Sequence, residues 1–213
     1  MTGYTLMTKR AKTDYFDSLA NQSEYSLKAS RLLDTFISKY DISDIFRVTD
    51  EMRRLRSESQ KGEKNLLSAL KEEFLPPIDS EDIFMLAKGI SKVTAALCDI
   101  SDFIYICNPY TVTDGTARLS QSLLFCVDKL HTAVASLKDY KKRDSMTACL
   151  DGYVQSKDSF DTVYKKAQKE LFGETADVRK LLCFTEIHGN FRKCCDACSL
   201  AAQLLEATVM KNA

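Results

Sequence analysis

The chain has 213 residues, of which 45% are hydrophobic and 28% charged, and with only 7 Gly and 3 Pro it is poor in turn formers. Lys plus Arg equals Asp plus Glu at 30 each, so no overall basic field is present to neutralise a phosphate backbone, and a nucleic-acid partner is not expected. No uninterrupted apolar run of about 18 residues occurs, and the N-terminal MTGYTLMTKRAK lacks the apolar core of a secretory signal. We therefore expect a cytoplasmic protein without a transmembrane segment.

Apolar residues recur along the chain at alternating steps of three and four, the pattern of helices with one buried face. The pattern predicts six helices, at about Asp14 to Lys39, Ser43 to Phe74, Ile83 to Cys107, Asp114 to Tyr140, Ser145 to Phe172, and Leu181 to Val209. The second helix carries Ser59 and Gly62 at positions on its apolar face, where glycine weakens a helix by roughly 1 kcal/mol. A bend is expected there, and the fold class is all-α.

The segment FLPPIDSEDI, which joins the second and third helices, carries the signals of a helix start. Asp79 can act as the N-cap, and Asp82 can return the bond in the manner of a capping box. Ile78 and Ile83 have the spacing of a hydrophobic staple. The three acids, with Glu81 between the other two, also suit the positive end of the helix dipole. We interpret Asp79, Glu81 and Asp82 as a structural helix-start motif, with an acidic ligand site as the alternative.

The turn signals occur twice. LKEEFLPPIDSED and QKELFGETADVRK share a charged helix end, a phenylalanine, a short breaker, an acid and a new apolar pattern. This match indicates an internal duplication, with pseudo-repeats at about 14–108 and about 113–211 that divide near Pro109 to Thr113. Each repeat would form a three-helix bundle.

Together with the six-helix pattern, FLPPIDSEDI resembles the PhoU-like family, specifically its branch linked to Pit-type phosphate permeases. The matching positions are Leu70, Phe74, Pro77, the run Asp79-Ser80-Glu81-Asp82-Ile83, and Leu86-Ala87. The likeness continues through YFDSLANQSEYSLKASRLL, KELF and the terminal VMKNA. The resemblance implies a single domain over 1–213 built of six long antiparallel helices in two tandem three-helix bundles. It also implies a cytoplasmic regulator of phosphate uptake that is not an enzyme.

The departures from the family concern its metal ligands. Family members carry acidic pairs four residues apart on the long helices, which place two carboxylates on one face to hold hard metal ions. Alignment on the family's motifs puts these pairs at Arg56 and Gln60, Ser91 and Ala95, Lys157 and Asp161, and His188 and Arg192. Only Asp161 is an acid. We therefore expect the family's metal cluster to be absent and no cofactor to be bound.

His188 lies on an apolar helix face between Phe184 and Phe191. A buried histidine with satisfied hydrogen bonds is the favoured interpretation. The alternative makes His188 one ligand of a rebuilt metal site with Asp158 or Asp161, whose helix the resemblance places nearby.

The cysteines are scattered through the chain and do not have the pattern of a secreted disulfide framework, so we expect mostly buried, reduced thiols. CCDAC, at Cys194 to Cys198, places Cys195 and Cys198 on the buried face, where cysteine packs as a small apolar side chain. A metal site and a redox sensor remain as alternatives for this segment. A zinc site needs about four ligands, and His188 is about 10 Å from Cys195 along the helix.

Two charged features complete the pattern. Asp99 and Asp102 interrupt the apolar third helix and are expected to pair with Lys or Arg of a neighbouring helix. The basic clusters MRRLR, at Met52 to Arg56, and YKKRD, at Tyr140 to Asp144, are typical of solvated helix surfaces.

No nucleophile elbow, ordered Cys and His signature or phosphate-binding glycine loop occurs, so the sequence does not indicate catalysis. The leading hypothesis is a non-enzymatic accessory protein of phosphate transport that contacts a phosphate permease or another cytoplasmic protein, including at the inner face of the membrane. The alternatives are a protein that binds iron, zinc or manganese, or a metal-dependent enzyme, at a relocated site, and a helical scaffold that forms homo-oligomers.

Overall fold

Six long helices account for most of the chain. The computed structural model describes residues 14–174 and 176–212, which contain α1 (Tyr15–Ser38), α2 (Ile45–Glu72), α3 (Ser80–Cys107), α4 (Asp114–Ala135), α5 (Arg143–Glu174) and α6 (Val178–Asn212). Short 3-10 turns at Ile42–Asp44 and Ser136–Asp139 precede α2 and follow α4. The described part of the chain contains no strand, which confirms the all-α prediction. The N-terminal MTGYTLMTKRAK, which lacks the apolar core of a secretory signal, lies outside the described residues.

Side-chain oxygens at the helix starts satisfy the free backbone N–H groups there. Asp14 Oδ1 accepts from Asp17 N at 3.0 Å before α1, and Thr113 Oγ1 accepts from Thr116 N at 3.1 Å before α4. Asp177 Oδ1 accepts from the backbone N–H of Arg179 and Lys180, at 2.9 and 3.3 Å, before α6. These caps fix where α1, α4 and α6 begin.

The end of α3 is set by Asn108 and Pro109. Asn108 adopts a left-handed conformation with φ 45°, which asparagine tolerates, and its N–H bonds to the carbonyl of Ile104 at 2.9 Å. Proline then prevents the helix from continuing. The hydroxyl of Tyr40, just after α1, donates to the Pro109 carbonyl at 2.6 Å, so the exits of α1 and α3 lie at the same end of the bundle.

The helices pack as two bundles side by side. α1, α2 and α3 contact one another, as do α4, α5 and α6, and the two sets meet through α1 against α4 and α3 against α6. Each bundle is antiparallel because its helices are joined by short connections. One end of the molecule therefore carries the α1–α2, α3–α4 and α5–α6 connections, and we call it the connector end. The opposite end carries the α2–α3 and α4–α5 connections and the C-terminus of α6.

A continuous apolar core fills both bundles, and its largest fully buried side chains include Tyr15, Phe160, Phe184 and Phe191. α2 is the least apolar of the six helices and was expected to bend near Gly62. The helix runs unbroken through that glycine, and the bend stays a prediction. Ser59, one turn before Gly62, is buried, and its hydroxyl donates to Thr94 Oγ1 at 3.4 Å, which adds a polar contact between α2 and α3.

Candidate functional site

The surface between α2 and α3, where the resemblance implies acids at Arg56 and Gln60, carries cross-helix ion pairs. Arg56 Nη1 lies 3.0 Å from Asp99 Oδ1, and Arg53 Nη2 lies 2.7 Å from Asp102 Oδ1. These pairs confirm the prediction that Asp99 and Asp102 meet cations of a neighbouring helix. Two of the three arginines of MRRLR, Arg53 and Arg56, thus form cross-helix pairs between α2 and α3, whereas Arg54 pairs with Asp50 within α2.

Further along the same surface, Gln60 and Ser91 line an open pocket of about 590 Å³ between α2 and α3. The carboxylate of Glu63 lies in this pocket, with 11% of its side chain exposed, and its Oε1 is 2.5 Å from Lys88 Nζ. The single acid that faces this groove is therefore already neutralised by a lysine.

In the second bundle the retained acid, Asp161, is held between two cations. Lys157 Nζ lies 2.7 Å from Asp161 Oδ2, and Arg192 Nη1 lies 2.5 Å from Asp161 Oδ1. Burial acts to raise the pKa of Asp161, but the hydrogen bond from Lys157 and the charges of Arg192 and Lys157 outweigh it and bring the pKa below its usual range. Asp161 is therefore an ion-pair partner in this arrangement.

His188 is fully buried among α4, α5 and α6, as the favoured interpretation expected. Its Nε2 lies 3.0 Å from Thr116 Oγ1, and its Nδ1 lies 3.2 Å from Gln168 Oε1. An amide oxygen can only accept, so the bond to Gln168 assigns the proton to Nδ1, and the Thr116 hydroxyl donates to Nε2. Both ring nitrogens are thus occupied by neutral partners.

The hydrogen bonds of His188 extend toward Asp161. Gln168 Nε2 donates to the Tyr164 hydroxyl at 3.1 Å, and the guanidinium of Arg192 lies 5.6 Å from the centre of the Tyr164 ring. A series of hydrogen bonds and one cation–π contact therefore leads from the buried His188 through the partly exposed Gln168, Tyr164 and Arg192 to Asp161. No carboxylate touches the imidazole, and burial alone lowers the pKa of His188 to about 4. The ring is neutral at physiological pH.

The weak metal candidates do not share partners. His188 bonds to Thr116 and Gln168, Asp161 pairs with Lys157 and Arg192, and Asp158 is exposed on α5. Within residues 14–174 and 176–212, no three His, Cys, Asp or Glu side chains are grouped so that they could hold one ion. The metal-site hypothesis thus gains no geometric support from Asp158, Asp161 and His188.

The CCDAC segment is buried, as its helical spacing predicts. Cys194, Cys195 and Cys198 are inaccessible to solvent, and Cys195 lies within hydrogen-bonding range of the equally buried Cys126 of α4. Hydrogen bonds from Cys195 and Ser156 lower the pKa of Cys126 although its burial acts in the opposite direction. Five of the eight cysteines are buried and the other three are partly exposed.

The acids of FLPPIDSEDI hold the end of α6. Asp79 Oδ1 accepts from Glu81 N at 2.9 Å, one residue earlier than the capping-box bond that was expected. The carboxylate of Asp82 instead accepts from Asn212 Nδ2 at 3.0 Å, and Lys211 Nζ lies 2.8 Å from Asp79 Oδ2. Glu81 is exposed. Asp79 is thus the N-cap of α3, and the motif also contacts the C-terminal turn of α6, which the sequence pattern did not indicate.

The connector end carries a set of exposed apolar side chains that the sequence interpretation missed. Six of them, between 61% and 89% exposed, are Phe46, Ile106, Tyr110, Phe172, Val178 and Leu182. All six flank the three connections at this end, and we call them the apolar set. The signal was present in the sequence, since these residues fall off the periodic apolar faces and next to helix ends.

Two pockets open at the connector end. One, of about 410 Å³, is lined by the start of α4 together with Arg118, Glu170 and Lys180, and Arg118 is ion-paired with Glu170. The other, of about 350 Å³, lies between the α3–α4 connection and the start of α6, where Cys107, Tyr110 and Cys183 face it. Polar and apolar groups therefore converge on this end of the molecule.

Comparison with known proteins relates the fold to others. The chain superposes on a PhoU-like protein from Shewanella oneidensis MR-1 with a TM-score of 0.81 and 12% identity, over 93% of this chain and all of that one. A second Shewanella oneidensis MR-1 structure, described as a candidate PhoU-like phosphate regulatory protein, gives a TM-score of 0.68 and 14% identity over the same shares. The fold is PhoU-like.

A sequence relative extends the comparison. The UPF0111 protein YkaA of Bacillus subtilis (strain 168) is 24% identical over 162 residues, which are 75% of this chain and 78% of YkaA. No family profile matches the chain. None of the described helices is both long and apolar enough to cross a membrane.

Proposed function

We propose that this protein is a non-enzymatic accessory protein of phosphate transport and acts by contact with a partner protein, a phosphate permease at its cytoplasmic face. The names of the structural neighbours support the connection with phosphate regulation, since one is described as a candidate PhoU-like phosphate regulatory protein. The resemblance of FLPPIDSEDI to the Pit-linked branch supports the permease as partner. Cytoplasmic location is part of the same proposal.

The observation that carries a contact role is the apolar set at the connector end. Exposed apolar side chains are common singly, but a group of large ones at one end of a protein is typical of an interaction surface. Burying a side chain such as Ile106 or Tyr110 in a partner would contribute about 1.5 to 3 kcal/mol. These two residues flank Pro109 in the connection between the bundles, so a partner that covered them would contact both halves of the molecule.

The electrostatics of the former acid positions point the same way. Arg56, Lys157 and Arg192 place positive charge where the resemblance expects carboxylates. Asp99 and Asp161 are thus already paired with cations of the chain itself and do not present free carboxylates to a divalent cation. Protein contact requires no such ion.

The test compares phosphate uptake in a deletion strain complemented with three forms of the gene: wild type, I106S/Y110S at the connector end, and F74S/L75S at the opposite end. Phe74 and Leu75 are 93% and 73% exposed, so the second variant is a matched control for the loss of exposed apolar surface. We expect only I106S/Y110S to fail to restore uptake and to lose the permease in a pulldown. Equal restoration by all three forms, or uptake unchanged by the deletion, would overturn the proposal.

Two further measurements separate the alternatives. Light scattering that shows a stable homo-oligomer, abolished by I106S/Y110S with uptake unaffected, would support the scaffold instead. Elemental analysis that finds stoichiometric iron, zinc or manganese in the purified protein would support a relocated metal site.

A further inference from the structure

Cys107 and Cys183 are brought together at the connector end although 75 residues separate them in the sequence. Cys107 is the last residue of α3, and Cys183 lies in the second turn of α6. Both are partly exposed, both line the pocket of about 350 Å³, and the neighbouring Cys107 thiol raises the pKa of Cys183. The pair therefore joins a helix of the first bundle to a helix of the second at a surface that small molecules can reach.

The other cysteines provide an internal comparison. Cys126 and Cys195 are also adjacent, but both are fully buried, so an oxidant cannot reach them in the folded protein. Cys149 is partly exposed, but the nearest polar partner of its thiol is the Ser136 hydroxyl, at 3.7 Å. Among the described cysteines, Cys107 and Cys183 alone combine a partner thiol with access from solvent.

The groups around the pair favour an anionic reactant. Arg179 and Lys180 line the same pocket, and the charge of Arg179 acts on the Cys183 thiol. The nearby carboxylate of Asp177 is engaged with the backbone N–H groups at the start of α6. The pocket thus presents two cations and one carboxylate beside two thiols, a net positive charge that attracts negatively charged small molecules.

The two thiols are not equivalent. Burial and the hydrogen bond to Cys107 raise the pKa of Cys183 to about 12. Cys183 therefore keeps its proton at neutral pH and can donate its S–H to the sulfur of Cys107. This assigns Cys107 as the sulfur that attacks first and Cys183 as the sulfur that resolves the mixed disulfide.

We propose that Cys107 and Cys183 form a reversible disulfide by exchange with an anionic low-molecular-weight disulfide. In the first step the sulfur of Cys107, as thiolate, attacks one sulfur of the small disulfide, whose S–S bond breaks and releases one thiolate that takes up a proton. In the second step Cys183 loses its proton and its sulfur attacks Cys107 Sγ, which releases the second small thiol. Two protein thiols are oxidised and one small disulfide is reduced to two thiols.

This modification would fix the α3–α4 connection, which carries Tyr110, against the start of α6. It would therefore alter the surface that contains the apolar set. The chemistry itself does not depend on the proposed role in phosphate transport.

The experiment uses the full chain, reduced and then incubated at neutral pH with oxidised glutathione as the anionic probe. Free thiols are alkylated under denaturing conditions and the products are mapped by mass spectrometry without reduction. We expect the loss of two thiols, a cross-linked peptide pair containing Cys107 and Cys183, unmodified Cys126 and Cys195, and full reversal by dithiothreitol. A wild-type protein that keeps all its thiols, links other cysteines, or stops at separate mixed disulfides on Cys107 and Cys183 would overturn the proposal.

Two sets of variants test the assignment. C183S should stop at the mixed disulfide on Cys107, whereas C107S should leave Cys183 unmodified, and the reverse pattern would refute the assigned order. R179Q/K180Q should slow the reaction with oxidised glutathione about threefold to tenfold, while the reaction with uncharged 2-hydroxyethyl disulfide should change little. Equal slowing with both probes would refute the anionic preference. Circular dichroism of each variant checks that the helices are retained.

Discussion

His188 allows a quantitative test of whether a position at which the resemblance implies an acidic metal ligand is a neutral part of the core. Burial lowers the pKa of the ring to about 4, whereas a histidine in an unfolded chain titrates near 6.5. The unfolded state therefore binds more protons than the folded state between these two values. The stabilising effect is complete above pH 6.5 and is lost as the pH falls toward 4. At pH 5 the loss amounts to about 2 kcal/mol.

The variant H188Q removes this titration and keeps a side chain that can form hydrogen bonds. At pH 7 it should be less stable than the wild type by about 1 to 2 kcal/mol, because the contacts to Thr116 and Gln168 cannot both be reproduced. As the pH falls to 5, the wild type loses its proton-linked stability and the variant does not, so the difference should shrink to near zero. Urea unfolding followed by circular dichroism at pH 7, 6 and 5 measures both free energies.

His131 supplies the matched control. It is partly exposed, and its Nε2 lies 3.3 Å from Glu24 Oε2, where a charged ring has a partner. H131Q should therefore keep most of the acid dependence of the wild type. A difference between wild type and H188Q that stays constant from pH 7 to pH 5 would refute the reasoning. A rise in the unfolding midpoint on adding zinc, present in the wild type and absent in H188Q, would identify His188 as a metal ligand.

Three other predictions concern stability. An added methyl group at Gly62 meets no atom within 4 Å, so Gly62→Ala should raise the free energy of unfolding by about 1 kcal/mol. Urea titration measures this change, and unchanged stability would contradict the prediction. Gly115→Ala is the contrasting variant, because its Cβ would lie 3.1 Å from Ala167 Cβ and should lower that free energy. Asp161→Asn should lower the free energy of unfolding by about 1 kcal/mol at pH 7, because Lys157 and Arg192 lose their shared partner. The pKa of Asp161 is lowered in the folded protein, so the difference in stability between wild type and variant should shrink as the pH falls through and below 3.8. A difference that stays constant with pH would argue against the ion pair. Oxidation of Cys107 and Cys183 to a disulfide closes a loop of about 75 residues and should raise the free energy of unfolding by about 4 kcal/mol relative to the reduced form. Equal stability of the oxidised and reduced forms would contradict this prediction.

The sequence predicted the helices well because their information is local. The predicted span of Asp14 to Lys39 compares with an observed Tyr15–Ser38, and the stop at Asn108 and Pro109 was found as expected. Asp79 as N-cap predicts that α3 begins at Ser80, as it does, whereas the apolar pattern of this helix begins only at its first buried side chain, Ile83. The fourth helix was predicted to extend to Tyr140, but it ends at Ala135 and is followed by a 3-10 turn to Asp139. Apolar spacing alone does not distinguish an α-helix from a 3-10 turn at a helix end.

The candidate sites were predicted less completely, because they depend on which helix ends meet. Burial of His188 and pairing of Asp99 and Asp102 followed from position on a helix face. The partner Gln168 did not, since it lies on another helix and its register is set by packing in the core. The contact between Cys107 and Cys183 was missed for the same reason. The duplication at about 14–108 and about 113–211 stays a prediction.

The ion pairs of Arg56, Lys157 and Arg192 also indicate how this chain can keep a PhoU-like fold without the acid pairs that the resemblance to the PhoU-like family implies. A cluster of carboxylates on facing helices needs a cation to offset its mutual repulsion. Here Arg192 and Lys157 supply that positive charge from within the chain, and Arg56 does the same on the first bundle. The cations are covalently attached, so they cannot report the availability of a free metal ion. Under the proposals made above, control acts instead at the connector end, which carries both the apolar set and the partly exposed thiols of Cys107 and Cys183.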